Sequence, residues 1–463
     1  MGRVDMKYKK RPVLVWLAAA AVAAGSLPVT ALAAPVELTP VIEDAISWCR
    51  GGSDELLQGD FLQAAGTSAG DWYPIALGRL GIADNYSGYL EALQTYVTEK
   101  YQTEEKLDAH KATEWQRIAL AILSAGGDPT AFGVDPSGNA VNLVADGTYD
   151  RAKTERLGAQ GVNGLIFGLL TMDAMRYDIP EGAEDTRDSV ITGILMTQEA
   201  DGGFALMQGE SGADITAMAL QALAPYYNSE EAYTYETASG EVTKRVRDCV
   251  AEALDYLSAL QNANGNFGTD SDSVSSETTS QVLIALTALG IDPQTDERFV
   301  KDGVSALDGL LSFVTEDGGF AHTKADENGN GGEANAMAGE QALCALAAMA
   351  RYQGGLRAFY DFRSEQTSEV KEQIGTLDEE LLTLASADPE EDQVRTLYEA
   401  YCEVPVQERS YVWNYEYLSD AMESLGMEND SPYLADAEGA YTEGNGTVTD
   451  VLAVIGEEED TEG

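Results

Sequence analysis

The chain has 463 residues, and 44% of them are hydrophobic, so it can bury a substantial core and does not have the composition of a disordered protein. Its formal net charge of −51 argues against nucleic acid and anionic lipid surfaces as partners, because an acidic surface repels phosphate groups. Four widely spaced cysteines and two histidines argue against a zinc ribbon, a dense disulfide framework and a histidine-rich metal site. The sequence therefore predicts no metal and no cofactor, and it leaves the pairing of the cysteines open.

Residues 1–33 are typical of an export signal. Basic residues precede an apolar run from Val13 to Ala24, and Ala31 and Ala33 supply the small residues of a cleavage site. The run is shorter than the ~20 apolar residues that span a bilayer. We predict cleavage after Ala33, export to the medium or the cell surface, and no membrane span after the signal is removed.

From about residue 45 to residue 353 the apolar residues recur at helical spacing. Six of the predicted helices share a motif in which a small residue precedes a leucine and a polar residue stands six positions before that leucine. The leucines are Leu77, Leu120, Leu169, Leu220, Leu286 and Leu346. The polar residues, here called the leaders, are Asp71, Glu114, Asn163, Asp214, Ser280 and Glu340. Such a repeat predicts one architecture copied six times.

The six motif helices are nearly apolar, which indicates that they are buried, and the small residue before each leucine indicates close helix packing. More polar helices are predicted between them, near 41–50, 88–101, 141–157, 184–199, 245–262 and 298–314. This alternation predicts six helical hairpins arranged as an inner ring and an outer ring. We therefore expect an all-α toroid domain over residues 34–355.

The connections carry a second repeat. The segment from Gln198 to Phe204 matches the segment from Gln261 to Phe267. Residues Asp317 to Phe320 repeat the last four residues of the first segment, Asp-Gly-Gly-Phe. Glycine and Asp or Asn tolerate left-handed backbone angles, and phenylalanine can anchor a turn. These segments are predicted to be structural corners.

After residue 355 the pattern changes. Residues 361–427 predict a small module of three amphipathic helices, and residues 428–463 predict an acidic tail without ordered structure. Cys344 lies on an apolar helix face, which is typical of a core residue.

These helices and corners resemble the prenyltransferase and squalene-cyclase repeat, an α/α toroid, and the chain would be an exported bacterial member. In triterpene cyclases the central acid of an Asp-X-Asp-Asp-Thr-Ala helix start protonates the substrate. The resemblance implies that role for Asp214, although Gly212 and Ile215 replace the other two acids. Residues 394–422 resemble helical modules of Gram-positive surface proteins, which implies display or adhesion.

If the six inner helices run parallel, their leaders form a polar ring at one end of the toroid. Trp72 and Trp115 directly follow two leaders and offer aromatic walls, and Gln281 and Gln341 stand at the same step in two later helices. The predicted ligand-binding set is Asp71, Trp72, Glu114, Trp115, Asn163, Asp214, Gln281, Glu340 and Gln341. The alternative is that the leaders only cap helix starts.

The preferred hypothesis is a binding protein without catalysis, with a small apolar or partly cationic ligand at the toroid mouth. One alternative is a terpene cyclase or isomerase-like enzyme with Asp214 as general acid, helped by Glu114 or Glu340. A further alternative is a surface scaffold or adhesion protein that presents the toroid to a protein partner.

Overall fold

The computed structural model describes residues 36–151, 154–237, 240–268, 274–326, 328–385, 389–429, 433 and 450–459. The predicted export signal therefore lies outside the described residues, as does most of the predicted tail. The described residues are mostly helical, as predicted. None of the helices in these ranges is long and apolar enough to cross a membrane.

All six motif helices form. They are α2 (Ser68–Leu80), α4 (Thr113–Ser124), α6 (Asn163–Asp173), α8 (Ala213–Leu223), α10 (Ser276–Ala288) and α12 (Ala336–Gln353). The helices before and between them are α1 (Leu38–Arg50), α3 (Tyr86–Glu104), α5 (Leu143–Gly147), α7 (Arg187–Leu195), α9 (Val246–Leu260) and α11 (Ala306–Leu311). Each motif leucine is fully buried, as its apolar surroundings predict.

Each motif helix contacts the next motif helix along the chain, and α12 contacts α2, so the order of contacts closes on itself. Small residues allow this close approach. A Cβ added to Gly168, the small motif residue of α6, would lie 3.3 Å from the side-chain amide nitrogen of Gln116 in α4, and a Cβ on Gly78 of α2 would lie 2.2 Å from the carbonyl oxygen of Ser124. The small residue of the motif is therefore explained by helix packing.

Two of the intervening helices are shorter than predicted. The predicted helix at 141–157 is reduced to the five residues of α5. The one at 298–314 begins with a small hairpin of β3 (Val300–Lys301) and β4 (Val304–Ser305) before α11.

A second hairpin, β1 (Ala232–Thr237) with β2 (Gly240–Arg245), was not predicted. Its signal is a short alternation in which Tyr233 and Tyr235 are buried and Thr234 and Glu236 are exposed. An alternation over so few residues is easily missed beside long helical patterns.

The predicted corners have a structural role. The side-chain amide of Gln198 donates to the carbonyls of Gly202 and Cys249, and Gln261 makes the same kind of bonds to Gly265 and Phe299. The corner phenylalanines, Phe204, Phe267 and Phe320, are fully buried. The corner glycines have left-handed φ values of 88° at Gly202, 79° at Gly265 and 85° at Gly318.

The C-terminal module contains the three expected helices, α13 (Ser368–Leu381), α14 (Glu391–Glu403) and α15 (Tyr415–Leu425), around a core of its own. The prediction of a disordered tail is wrong for residues 451–459, which form α16 (Val451–Glu459). This helix contacts α12 and α2, and its residues Val451 and Ile455 are buried. An apolar run of five residues, 451–455, supplies the surface that it buries.

All four cysteines, Cys49, Cys249, Cys344 and Cys402, have free thiols. Cys344 is buried in α12, as its apolar helix face predicts. Only Cys402, on the C-terminal module, is exposed.

Residues 356–363 cover the ends of several motif helices, on what is here called the closed end. Arg79, in the last turn of α2, donates to the carbonyls of Ala358 and Asp361 at 3.0 and 2.9 Å. Arg351, in the last turn of α12, donates to the carbonyls of Arg79 and Arg357 and bonds to Glu365. Arginines in this position satisfy helix carbonyls that have no partner within the helix.

The C-terminal module packs on the same end. Arg357 forms a two-pronged ion pair with Glu408, with N–O distances of 2.9 and 2.8 Å. Asn228 donates to the carbonyls of Arg409 and Val412, and a Cβ on Gly290 would lie 2.2 Å from the ring of Trp413. The end where the motif helices begin, here called the open end, carries no such module among the described residues.

Candidate functional site

The six leaders, predicted to form one polar ring, do not share one environment. Asp71 and Ser280 are fully buried, and Glu340 is 6% exposed. The hydroxyl of Ser280 donates to the carbonyl of Ser276 in its own helix. Glu114 and Asn163 reach a cleft at the open end, and Asp214 lies exposed on α8. The prediction of a single ring facing one cavity is therefore wrong.

Asp71 points between α2, α3 and α4. Its Oδ1 accepts hydrogen bonds from the Tyr89 hydroxyl at 2.7 Å and the Gly66 amide at 2.9 Å, and its Oδ2 accepts from Nε of Arg117 at 2.9 Å. These partners use both carboxylate oxygens. Asp71 therefore positions Arg117 and does not itself face the cleft.

Arg117 connects the buried Asp71 with Glu114, which lines the cleft. Besides Asp71, its guanidinium bonds to Glu114 at 2.7 Å, to the Gly66 carbonyl at 2.9 Å and to the Ser68 hydroxyl at 3.2 Å. Burial by itself lowers the pKa of Arg117, but the hydrogen bond to Glu114 and the charge of Asp71 outweigh it and raise the pKa. The arginine thus stays charged and holds Glu114 in place. In the sequence, this ion pair could have been found from the spacing of Glu114 and Arg117, which are three residues apart on one helix.

The cleft lies over the starts of α2, α4 and α6 and has a volume of about 340 Å³. Trp72 and Phe167 supply its aromatic surface, with ring centroids 5.9 Å apart and planes inclined by 60°. Glu114, Arg117 and Asn163 supply polar groups. Lys111 and His110 lie at its margin, and His110 pairs with Glu155 at 2.9 Å.

Asn163 brings a buried polar atom without a partner to the cleft. Its Oδ1 is buried and accepts no hydrogen bond within the described structure. A buried amide oxygen without a donor costs free energy, so such atoms are rare in native proteins. A bound molecule with a donor group would satisfy it.

Beneath the cleft, Phe167 contacts Tyr360 from the closed end, with ring centroids 6.5 Å apart. Tyr360 and its neighbour Phe359 are buried and pack edge to face. These rings pack beneath Phe167, beside a small cavity of about 50 Å³ that Leu170 and Ile284 also line. The cleft therefore has a floor and does not pass through the protein.

Trp115 does not line the cleft, although it follows a leader just as Trp72 does. It is 1% exposed, and its Nε1 donates to the hydroxyl of Tyr101 at 2.7 Å. The guanidinium of Arg151 lies over its ring, 5.0 Å from the centroid. Trp115 thus belongs to the wall formed with α3 and α5, and a ligand in the cleft would not touch it.

Gln281 and Gln341 belong to a chain of side-chain amides across α8, α10 and α12. Nε2 of Gln221 donates to Oε1 of Gln281 at 2.9 Å, and Nε2 of Gln281 donates to Oε1 of Gln341 at 3.0 Å. The bonds tie three motif helices together. Neither predicted glutamine lines the cleft.

Glu340 is a buried carboxyl group with no hydrogen bond among the described residues. Burial, followed by the nearby charge of Asp71, raises its pKa from the usual 4.5 to about 8, and Arg117 only partly opposes this. The neighbouring Tyr73 hydroxyl is also buried without a partner. Glu340 is therefore a neutral acid in the wall at neutral pH.

Asp214, the predicted general acid, is exposed in the first turn of α8. Proton transfer to an apolar substrate requires a site from which water is excluded, and an exposed side chain does not provide one. Asp214 also lies outside the set of residues that line the cleft. The structure thus provides no dry acid site at this position.

No protein-family model matches the chain, and no curated protein matches it.

Proposed function

We propose that the paired helices form an α/α toroid related to the prenyltransferase and squalene-cyclase repeat. The closed order of contacts among the six motif helices supports this arrangement. We further propose a secreted or cell-surface protein that binds a small molecule at the toroid mouth and leaves it chemically unchanged. The observation that carries the binding function is the aromatic cleft at the open end, in which Asn163 has an unsatisfied oxygen.

The lining of the cleft defines the ligand class. Trp72 and Phe167 favour an apolar or aromatic body, and Asn163 Oδ1 and the Glu114 carboxylate call for hydrogen-bond donors. The strong negative charge of the chain favours a neutral or partly cationic molecule over an anion. Binding without catalysis is supported by the exposure of Asp214, which is not among the residues that line the cleft.

Native mass spectrometry of the full chain, purified without denaturation from its secreting culture, tests this function. We expect a small molecule to co-purify with the wild-type protein. Trp72→Ala and Phe167→Ala should lose it, because each removes an aromatic face of the cleft.

Trp48→Ala is the matched control. Trp48 is also half-buried, but it lies on α1 and donates to Asp317 away from the cleft. This variant should keep the ligand. The proposal fails if wild-type protein carries no small molecule, or if the ligand survives both cleft variants.

A second candidate function is adhesion to a protein partner. Leu206 and Met207 precede α8, and Met337 stands in the first turn of α12, and all three are exposed near helix starts. Exposed apolar side chains of this kind are common at protein interfaces. A partner that binds Trp72→Ala but not a Met207→Ser, Met337→Ser double variant would favour this function over ligand binding.

A further inference from the structure

A second cavity, of about 490 Å³, lies where the C-terminal module meets the end of α6. It is separate from the cleft at the open end and shares no lining residue with it. Its lining includes the buried residues Arg176, Tyr226, Ser229 and Tyr233, together with Gln407 and the exposed Thr186. Its volume falls within the range of small-molecule sites, roughly 300–1,000 Å³.

Arg176 occupies a backbone position at which four of the other five motif helices have glycine. Five motif helices end with the same pair of backbone hydrogen bonds around a residue with positive φ. That residue is Gly81 after α2, Gly126 after α4, Arg176 after α6, Gly290 after α10 and Gly355 after α12. The φ of Arg176 is 54°, a conformation that is unfavourable for a residue with a side chain. The backbone conformation after α6 therefore favours glycine and does not explain why arginine occupies position 176.

The guanidinium of Arg176 has few partners. It is 7% exposed and makes one ion pair, from Nη1 to Asp173 Oδ1 at 3.3 Å. Asp173 is already bonded to Nε of Arg187 at 2.8 Å and to the Tyr226 hydroxyl at 2.8 Å. Two arginines thus share one carboxylate, and the remaining donors of Arg176 make no hydrogen bond within the described structure. Strain together with unused donors at a cavity wall indicates a binding role.

The hydroxyl of Tyr233, on β1, also borders this cavity and makes no hydrogen bond to a described residue. Apolar surface comes from Ile179 and Pro180. Three acidic side chains, Glu181, Asp188 and Glu231, are exposed on the rim. The cavity therefore has a cationic floor and an anionic rim.

We infer that this cavity binds a short peptide with free termini, whose carboxylate is held by Arg176 and whose ammonium group faces the acidic rim. Arginine binds carboxylates through paired, charge-assisted hydrogen bonds. The rim acids attract the ammonium group, whereas a simple anion is repelled by the acidic chain. The apolar lining accommodates small side chains, and Tyr233 can bond to the peptide backbone.

Calorimetric titration of the full chain with Ala-Ala and Ala-Ala-Ala tests the inference. We expect saturable binding of at least one of them. The same peptide with an amidated C-terminus, or with an acetylated N-terminus, should bind at least about tenfold more weakly, because each loses one charged contact. Free alanine serves as the probe for an amino-acid ligand, and binding of alanine alone would overturn the assignment to peptides.

Arg176→Gly separates the binding role from a structural one. This variant places the residue that suits the backbone, and Asp173 keeps Arg187 and Tyr226 as partners. We expect a folded protein whose peptide affinity falls at least about tenfold. Glu105→Gly is the matched control, because Glu105 has a φ of 57° at the end of α3 but lies outside the cavity lining.

Tyr233→Phe removes only the hydroxyl and provides a second measurement that does not depend on Arg176. It should weaken peptide binding by a few-fold and leave the thermal unfolding temperature unchanged. Absence of peptide binding to the wild type, or unchanged affinity in both Arg176→Gly and Tyr233→Phe, would overturn the inference. Neither result bears on the cleft at the open end, so the two proposals fail independently.

Discussion

At the closed end of the motif helices, arginines bond to backbone carbonyls and to carboxylates and join separate parts of the chain, whereas at the open end the helix starts border a cleft. Arg79 and Arg351 bind residues 356–363 across the helix ends, and Arg357 ties the C-terminal module to them. At the open end, Asn163 keeps an unsatisfied oxygen in the cleft. The arginines of the closed end therefore stabilise the packing of the C-terminal module, whereas the open end carries no such contacts among the described residues and leaves its cleft accessible.

The largest effect is expected from Asp361→Asn at the closed end. Asp361 bonds to Arg363 at 2.6 Å and to the Tyr411 hydroxyl at 2.9 Å, and it pairs with Arg357 at 3.3 Å. Removal of this charge leaves Glu408 as the carboxylate that Arg357 and Arg363 share, which should lower the free energy of unfolding by about 3–5 kcal/mol in urea titrations. Asp214→Asn is the control. Asp214 is exposed, so this variant should change the free energy of unfolding by less than about 0.5 kcal/mol.

The same variant has a defined pH dependence. Burial alone would raise the pKa of Asp361, but the charges of Arg363 and Arg357 hold it well below its usual range. A depressed pKa gives stability that is present at neutral pH and lost as the pH falls below about 3.9. The difference between wild type and Asp361→Asn should therefore shrink in acid, and a constant difference would contradict the assigned ion pairs.

The two tryptophans that follow leaders should respond differently. Trp115→Ala removes a fully buried ring and its hydrogen bond to Tyr101, so the free energy of unfolding should fall by about 3–5 kcal/mol. Trp72→Ala removes a partly exposed ring of the cleft and should cost less than about 2 kcal/mol. If both variants lose the same free energy of unfolding in chemical denaturation, the assignment of Trp115 to the core and of Trp72 to the cleft would be contradicted.

A smaller effect, of opposite sign, is expected from Glu340→Gln in the wall near the open end. The raised pKa of Glu340 means that the wild type loses stability as the pH rises from 4.5 to about 8, because ionisation of a buried carboxyl is unfavourable. Glutamine does not ionise, so the variant should be more stable than wild type at pH 9 by roughly 2–5 kcal/mol, the upper value corresponding to the full rise in pKa at about 1.4 kcal/mol for each pH unit. The advantage should largely disappear at pH 4.

The exposed Glu333→Gln is the comparison for this measurement. It should show no pH-dependent gain, because an exposed carboxylate pays no burial penalty. A gain of the same size in both variants would indicate a general effect of charge, and the environment assigned to Glu340 would then be incorrect.

The helices and corners followed from local patterns, which is why the sequence predicted them. The six motif helices and their buried leucines follow the helical spacing of apolar residues, and Gln198 and Gln261 each donate one bond within their own corner. Their second bonds, to Cys249 and Phe299, join residues 51 and 38 positions apart. The β1–β2 hairpin was missed because its alternation is short, and α16 was missed because acidic residues surround its apolar run. Of the predicted binding residues, the cleft brings together Trp72, Glu114 and Asn163.

The sequence by itself determined the number of motif helices and which of them are buried, since helical periodicity and small residues act locally. Only the tertiary structure decided which side chains face a cavity. Asp71 and Glu114 hold the same motif position, yet Arg117, 46 residues from Asp71, draws Asp71 into the wall while Glu114 reaches the cleft. The direction of a side chain depends on the rotation of its helix against its neighbours and on partners far away in the chain, and neither is encoded in a repeat.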